Sequence, residues 1–400
     1  MDLAIHTGGS DSMRPFQGWP IISGPIMKAR FLVRPNRFLV RCVSQELGEL
    51  SAFLPNPGRL WELLLPGVTL YLESVAPSKA KGASIRKTAY TVLAVERQGR
   101  PIFLHTHTTN QVARFLVERG LIAPLKGARV VRAEVPVGNS RFDFLLRRND
   151  KDLYMEVKSC TLFGNGVAMF PDAVTTRGKR HLMELAEMGR RGIHTTILFL
   201  VHYPHVRWFM PDYHTDLAFG EALLKARGNV QILPVAVGWK NDLTLDESLK
   251  VLKVPWTYLK TEVNDRGSYL LVFKLEQAKD IAVGRLGRKK FPMGYYVYVG
   301  SAMRHLTARL ARHGRRDKKP HWHIDYLIQE ADGLVSLPVR SSQRLECELA
   351  QALSLMLKQG PAGFGSSDCP CPTHLFLSRT NPLRTEGFHH MLQTFRMRSP

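Results

Sequence analysis

The stretch RFDFLLRRNDKDLYMEVKSC, residues 141–160, restricts the fold more than any other part of this chain. Two apolar runs flank a polar break, RRNDKD, the pattern of two antiparallel strands joined by a turn. Each run holds charge where a core is expected: Asp143 in the first, Glu156 and Lys158 in the second. Side chains alternate along a strand, so residues 156 and 158 share a face, and a hairpin brings Asp143 beside them. Two carboxylates on one face repel each other unless a cation lies between them. A divalent ion such as Mg²⁺ or Mn²⁺ takes hard oxygen ligands, and Mg²⁺ retains water in its shell. The adjacent ammonium of Lys158 would orient that water or meet negative charge developing on a phosphate. These parts suit metal-assisted phosphodiester hydrolysis. The plainer reading is a surface Glu-Lys pair beside an unrelated aspartate.

Charge favours the first reading. The net charge is +22, and the excess is spread along the chain. Residues 1–261 hold 35 Lys/Arg against 22 Asp/Glu, and residues 262–400 hold 21 against 12. Two basic globular regions point to a polyanionic partner, DNA or RNA ahead of a membrane surface. Five cysteines in 400 residues do not make a disulfide framework. No apolar stretch reaches the ~20 residues of a membrane span. The N-terminus, MDLAIHTGGSDSMRPFQG, lacks the basic start and apolar core of a secretion signal. The expectation is a soluble, cytoplasmic protein with no membrane partner and an N-terminal extension over 1–21; nothing in the sequence fixes its oligomeric state.

Pattern changes divide the chain into a multidomain α+β protein. Residues 22–98 read as all-β: ARFLVRPNRFLVRCV, GVTLYLESV and TAYTVLAVE are short β-rich runs joined by loops. They predict an OB-like barrel, with a minimal sandwich as rival. Residues 99–250 read as α-β-β-β-α-β followed by a further helix and strand. The first helix carries Asn110 as cap and the second spans 175–188, with Asp172 a candidate cap. Residues 251–261 read as a linker. In 262–395, GSYLLVFKLEQ and GYYVYVGS are paired strands, MRHLTARLARHGRR is a basic helix, and SQRLECELAQALSLMLKQG is a helix ending at Gly360.

The order α-β-β-β-α-β around Asp143, Glu156 and Lys158 resembles the PD-(D/E)XK nuclease fold. Residues 22–250 as a whole resemble the SfsA family (sugar fermentation stimulation protein A) through RFLVR, LPNPGRLWELL, SRFDFLL, MEVKSCTL, FPDAVTTRGKRHLMEL and ILFLV, in order. The resemblance implies an OB-like domain ahead of a nuclease-like α/β domain acting on DNA or RNA. It makes Asp143, Glu156 and Lys158 the catalytic set, with Asp143 and Glu156 as Mg²⁺ ligands. Glu118 and Glu134 are outlying acids, read first as solvated charges. Arg141, Arg177, Lys179 and Arg180 are candidates for phosphate contacts, since a guanidinium grips phosphate bidentately. Arg59, in the turn PNPGRL, is another. Lys79, Lys81, Arg86 and Lys87, with the barrel's aromatics, suit single-strand binding. Core packing is the default for Phe31, Phe38 and Phe53.

Residues 262–395 resemble the GIY-YIG nuclease superfamily, in a branch with no assigned activity recognised by HWHIDYL and GFGSSDCPCPTHLF. Gly267-Ser268-Tyr269 stands for GIY and Tyr298-Val299-Gly300 for YIG. Arg309 and Glu346 match the later arginine and glutamate, and Arg312 extends the basic helix. The resemblance implies Tyr269 and Tyr298 as base or orienter, Arg309 on the phosphate, and Glu346 on a second Mg²⁺. Two departures weaken it: Ser268 replaces an aliphatic residue, and Tyr269 and Tyr298 lie 29 positions apart. A binding-only role for this domain stays open. Cys347, Cys369, Cys371 and His374 offer a Cys₃His zinc site, although Cys-x-Cys-x₂-His is not a usual spacing. His321 and His323 alternate on one face.

The leading expectation is a metal-dependent DNA/RNA nuclease with a second nuclease-like or DNA-binding domain. The alternative is a non-catalytic DNA-binding regulator of sugar-utilisation genes. A pure binder has no use for two carboxylates facing a polyphosphate.

Overall fold

A computed structural model describes residues 22, 24–75, 88–138 and 140–398. The whole of the expected extension 1–21, and Lys79, Lys81, Arg86 and Lys87, lie outside the described residues.

Five strands build the barrel: β1 (Ile26–Asn36), β2 (Leu39–Ser44), β3 (Gly48–Phe53), β4 (Thr69–Ser74) and β5 (Tyr90–Arg97). Their order is β3-β2-β1-β4-β5, and a parallel pairing of β3 with β5 closes the ring. Closure excludes the sandwich. The long β1 serves two neighbours, pairing through Ile26–Arg30 with β4 and through Arg30–Asn36 with β2. Register shifts after Phe31 and Val33 mark where such a strand bends. Inward residues alternate, with Ala29, Phe31, Val40, Cys42, Leu70 and Leu72 all buried. Phe31 is core as expected, but Phe38, in the β1–β2 turn, is 47% exposed. Strand β6 (Arg100–Phe103) continues from β5 toward the next domain.

The second domain runs α1 (Thr109–Glu118), β7 (Arg129–Val137), β8 (Ser140–Arg148), β9 (Lys151–Cys160), β10 (Leu162–Gly164), β11 (Val167–Phe170), α2 (Thr176–Arg190), β12 (His194–Val201), β13 (Trp208–Pro211), α3 (Leu217–Ala226), β14 (Gln231–Trp239) and β15 (Leu245–Val251). The α-β-β-β-α-β order is present, with the hairpin β10–β11 inserted ahead of α2. The main sheet is β15-β14-β12-β9-β8-β7, and β12 lies parallel to β9 and β14. Thr175 caps α2 by accepting the Gly178 N–H at 3.1 Å. Asp172 is not the cap: its Oδ2 accepts the Leu60 N–H at 2.8 Å and so ties the barrel loop to this domain. Gly58 allows that approach, because a Cβ there would stand 2.8 Å from Asp172 Oδ2.

Where a linker is expected, α4 (Trp256–Glu262) packs with Leu259 fully buried. The third domain follows: β16 (Gly267–Leu275), β17 (Lys279–Ala282), β18 (Arg288–Phe291), β19 (Gly294–Ala302), α5 (Leu306–His313), α6 (His323–Ile328), β20 (Asp332–Arg340), α7 (Glu346–Ser354), β21 (Lys358–Gln359), β22 (Leu375–Ser378) and α8 (Glu386–Arg396). Its antiparallel sheet is β20-β16-β19-β22-β21. Helix α7 stops at Ser354 and not at Gly360, because Lys358 and Gln359 pair with β22. This domain docks on the second through buried polar contacts. The Gln393 side chain donates to the Phe163 carbonyl at 3.1 Å, and His214 bonds the Arg396 carbonyl and the Arg340 N–H, each at 2.9 Å. Among the described residues no helix is long and apolar enough to cross a membrane.

Candidate active site

Strands β8 and β9 pair so that Phe144 faces Met155, which sets Asp143 beside the Glu156–Lys158 segment. Asp143 is held at both oxygens. Oδ1 accepts from Asn110 Nδ2 and Oδ2 from the Val157 N–H, each at 2.7 Å. Burial, then the charge of Glu156, push its carboxyl up to about 6, against the Val157 amide, Lys158 and Asn110. Glu156 is 2% exposed. Its Oε1 accepts from Lys158 Nζ and from His181 Nδ1, the latter at 2.6 Å. Burial pushes the Glu156 carboxyl up, but His181 and Lys158 together hold it below its ordinary value. The other oxygen, Oε2, is buried and has no hydrogen-bond partner among the described residues.

Two of these partners escape sequence reasoning. Asn110 is not the cap of α1 but lies inside the helix, with its amide on Asp143. His181 sits on the buried face of α2 with Leu182, Leu185 and Ala186. A histidine inside an apolar helical stripe is the signal for it, since such a side chain needs a polar partner.

The candidate phosphate-binding cations Arg141, Arg177, Lys179 and Arg180 are exposed. Arg177, Lys179 and Arg180 project from α2, and Arg177 Nε reaches His181 Nε2 at 3.5 Å. Arg141 lies two residues from Asp143 on the same strand and is 3.9 Å from Glu134. Glu118 is an exposed partner of Arg114 at 2.9 Å. Arg59, expected at a phosphate, is engaged internally: Nε donates to the Asp172 carbonyl at 2.6 Å and Nη2 to Thr215 Oγ1 at 2.7 Å.

In the third domain Tyr269 on β16 and Tyr298 on β19 come together, ring centroids 6.4 Å apart. The inserted hairpin β17–β18 accounts for their separation in sequence. The Tyr269 hydroxyl meets His313 Nε2 at 2.9 Å and lies over Gly300, where a Cβ would stand only 2.4 Å away. Both phenols are buried, and burial pushes both well above their ordinary range. Arg309 stacks over Trp322 at 4.0 Å and stabilises the Tyr269 phenolate against that burial. Arg312, expected on nucleic acid, bonds Asp325 at 2.9 Å and the Lys319 carbonyl at 3.0 Å. Glu346 Oε2 accepts from Ser301 Oγ at 2.6 Å, and its Oε1 lies 3.4 Å from His374 Nδ1. The metal-binding atoms of Cys347, Cys369, Cys371 and His374 lie within 4.8 Å of one another. His323 Nδ1 accepts the Gly365 N–H at 3.1 Å, a structural role.

A closed five-stranded barrel leading into a mixed α/β core, with two carboxylates and a lysine on adjacent central strands, defines a two-domain architecture to which a third domain is joined. Family models match each part: the SfsA N-terminal OB domain over residues 32–104, the sugar fermentation stimulation protein RE domain over 107–242, and a domain of unknown function, DUF123, over 268–397. The sugar fermentation stimulation protein homolog of Moorella thermoacetica is 41% identical over 202 residues, 50% of this chain and 84% of the relative. That of Clostridium tetani is 35% identical over 235 residues, 58% of this chain and 99% of the relative. The solved structure of Pyrococcus furiosus SfsA in complex with Ca²⁺ is 28% identical, covers 57% of this chain and 96% of that one, and superposes with a TM-score of 0.52. The chain belongs to the SfsA family and carries a GIY-YIG-like domain behind the part those relatives share.

Proposed function

We propose that this protein is a metal-dependent nuclease that hydrolyses phosphodiester bonds in DNA or RNA, with its centre at Asp143, Glu156 and Lys158. One observation carries the reading: buried Glu156 faces Asp143 and its Oε2 has no partner among the described residues, an arrangement costly to maintain unless a cation completes it. The donor set fits Mg²⁺ or Mn²⁺, since both groups offer hard oxygens. Asp143 and Glu156 would hold the ion, which supplies Lewis acidity and a more acidic water when bound. A structure of a family member in complex with Ca²⁺ accords with a divalent site.

The chain's own groups do the rest. His181 fixes Glu156 from the buried side, and Asn110 with the Val157 amide fixes Asp143, so neither carboxylate reorients when substrate arrives. Lys158 would be the member that changes partner. In the free protein it neutralises Glu156, and with substrate bound its ammonium orients the attacking water or meets the phosphate charge. Arg141, Arg177, Lys179 and Arg180 would grip flanking phosphates, which gives affinity without base preference. The test is cleavage of labelled single- and double-stranded DNA and RNA with Mg²⁺, Mn²⁺ or EDTA. Cutting that needs the ion and is lost in Glu156→Gln is expected. Salt-sensitive binding with no cutting on any of the four substrates would overturn the proposal.

A further inference from the structure

We propose that Cys347, Cys369, Cys371 and His374 form a tetrahedral Zn²⁺ site, and that Glu346 is its outer partner through His374. This inference concerns the third domain and does not rest on the nuclease reading. The ligands come from two segments that the fold fixes independently. Cys347 lies in the first turn of α7, and the other three fall in the loop ahead of β22. The loop is clamped at His374, whose carbonyl accepts the Val299 N–H at 2.9 Å and whose N–H donates to the Phe364 carbonyl at 2.8 Å.

Three sulfurs and one imidazole converge within 4.8 Å. Around zinc, with metal–ligand bonds of about 2.0–2.3 Å, tetrahedral ligand atoms stand roughly 3.6–3.8 Å apart, so a small contraction closes the site. Soft thiolates with one imidazole select zinc over magnesium. A disulfide would use two sulfurs and leave the third thiol and the buried imidazole unexplained.

The orientation of His374 strengthens the assignment. It is fully buried. Its Nε2 faces the thiols, 3.4 Å from Cys369 Sγ, while Nδ1 closes no hydrogen bond among the described residues and lies 3.4 Å from Glu346 Oε1. A histidine that offers one nitrogen to a metal commonly donates the other N–H to a carboxylate, which fixes its ring and tautomer. Glu346 is anchored in turn by the Ser301 hydroxyl. The glutamate that the superfamily resemblance puts on a catalytic Mg²⁺ thus serves here as the outer shell of a structural zinc. The metal pins the start of α7 to the edge of the sheet beside Tyr298.

The full-length protein, purified under reducing conditions without added metal and dialysed against Mg²⁺, is expected to carry one zinc per chain by elemental analysis. After stripping, Co²⁺ is expected to restore intense visible bands and thiolate-to-cobalt charge transfer, which oxygen ligands at Asp143 and Glu156 do not produce. Cys369→Ser should abolish the charge-transfer bands of the tetrahedral site. Glu346→Gln should keep the stoichiometry but weaken zinc by about 10- to 100-fold in chelator competition. Wild-type protein that holds no zinc and develops no thiolate–cobalt bands would overturn the site. Unchanged affinity in Glu346→Gln would overturn the outer-shell role.

Discussion

Asp143 and Glu156 are neighbouring carboxylates driven apart by their partners. His181 and Lys158 outweigh burial at Glu156 and keep it ionised, whereas burial and the charge of Glu156 raise Asp143 to about 6. Folding therefore favours the protonated form of Asp143. Its contribution to stability is complete below the unfolded value of 3.8 and is lost as pH rises through about 6. The proposed cation binding needs the carboxylate and would run the other way. Ca²⁺ affinity by calorimetry is expected to fall about tenfold from pH 7.5 to pH 5, and a flat profile would contradict the shared site. Asn110→Ala removes one hydrogen bond worth about 1 kcal/mol, so Ca²⁺ should bind roughly fivefold more weakly in the same measurement. The juxtaposition of Asp143, Glu156 and Lys158 was legible in the sequence because strand alternation is local and their charge interrupts apolar runs. Asn110 and His181 were not, because each meets its carboxylate only when a helix packs on the sheet.

At the scale of elements, strands read more truly than their junctions. The runs at 140–148 and 151–160 stand as β8 and β9, since a half-buried strand needs only its alternation. Helix α7 is shorter than its sequence pattern because the pairing of β21 with β22 takes over residues 358–359. The hairpin β17–β18 hides in a stretch too polar and glycine-broken to declare strands. The loop PNPGRL carries two constraints, its own turn and the approach of Asp172. Gly58→Ala would press a methyl against Asp172 Oδ2 and Asn56 Oδ1. The expected loss is about 1–3 kcal/mol in denaturant unfolding, and an unchanged midpoint would show that the loop yields freely.

Across the whole molecule, the basic balance and the docking of three domains bear on one function. The third domain is joined to the second by more than the chain, since His214 is buried between the Arg396 carbonyl and the Arg340 N–H. Burial pushes His214 down to about 3, so the unfolded chain binds its proton first. Stability from this contact is present above pH 6.5 and lost as pH falls toward 3, and His214→Ala should flatten that part of a stability–pH curve. The basic character of both halves was visible in composition, but no local signal told which arginines are engaged internally, as Arg59 and Arg312 are. The central claim is the proposal that the Asp143 centre, and not the third domain, carries the cleavage. The most direct measurement is Mg²⁺-dependent cleavage by the wild type, Lys158→Ala and Tyr269→Phe side by side. This account predicts that Lys158→Ala loses cutting by at least about a hundredfold, as removal of a charge-stabilising group at a reacting centre does, while Tyr269→Phe retains it. Cutting kept in Lys158→Ala and lost in Tyr269→Phe would contradict it and move the reaction to the third domain.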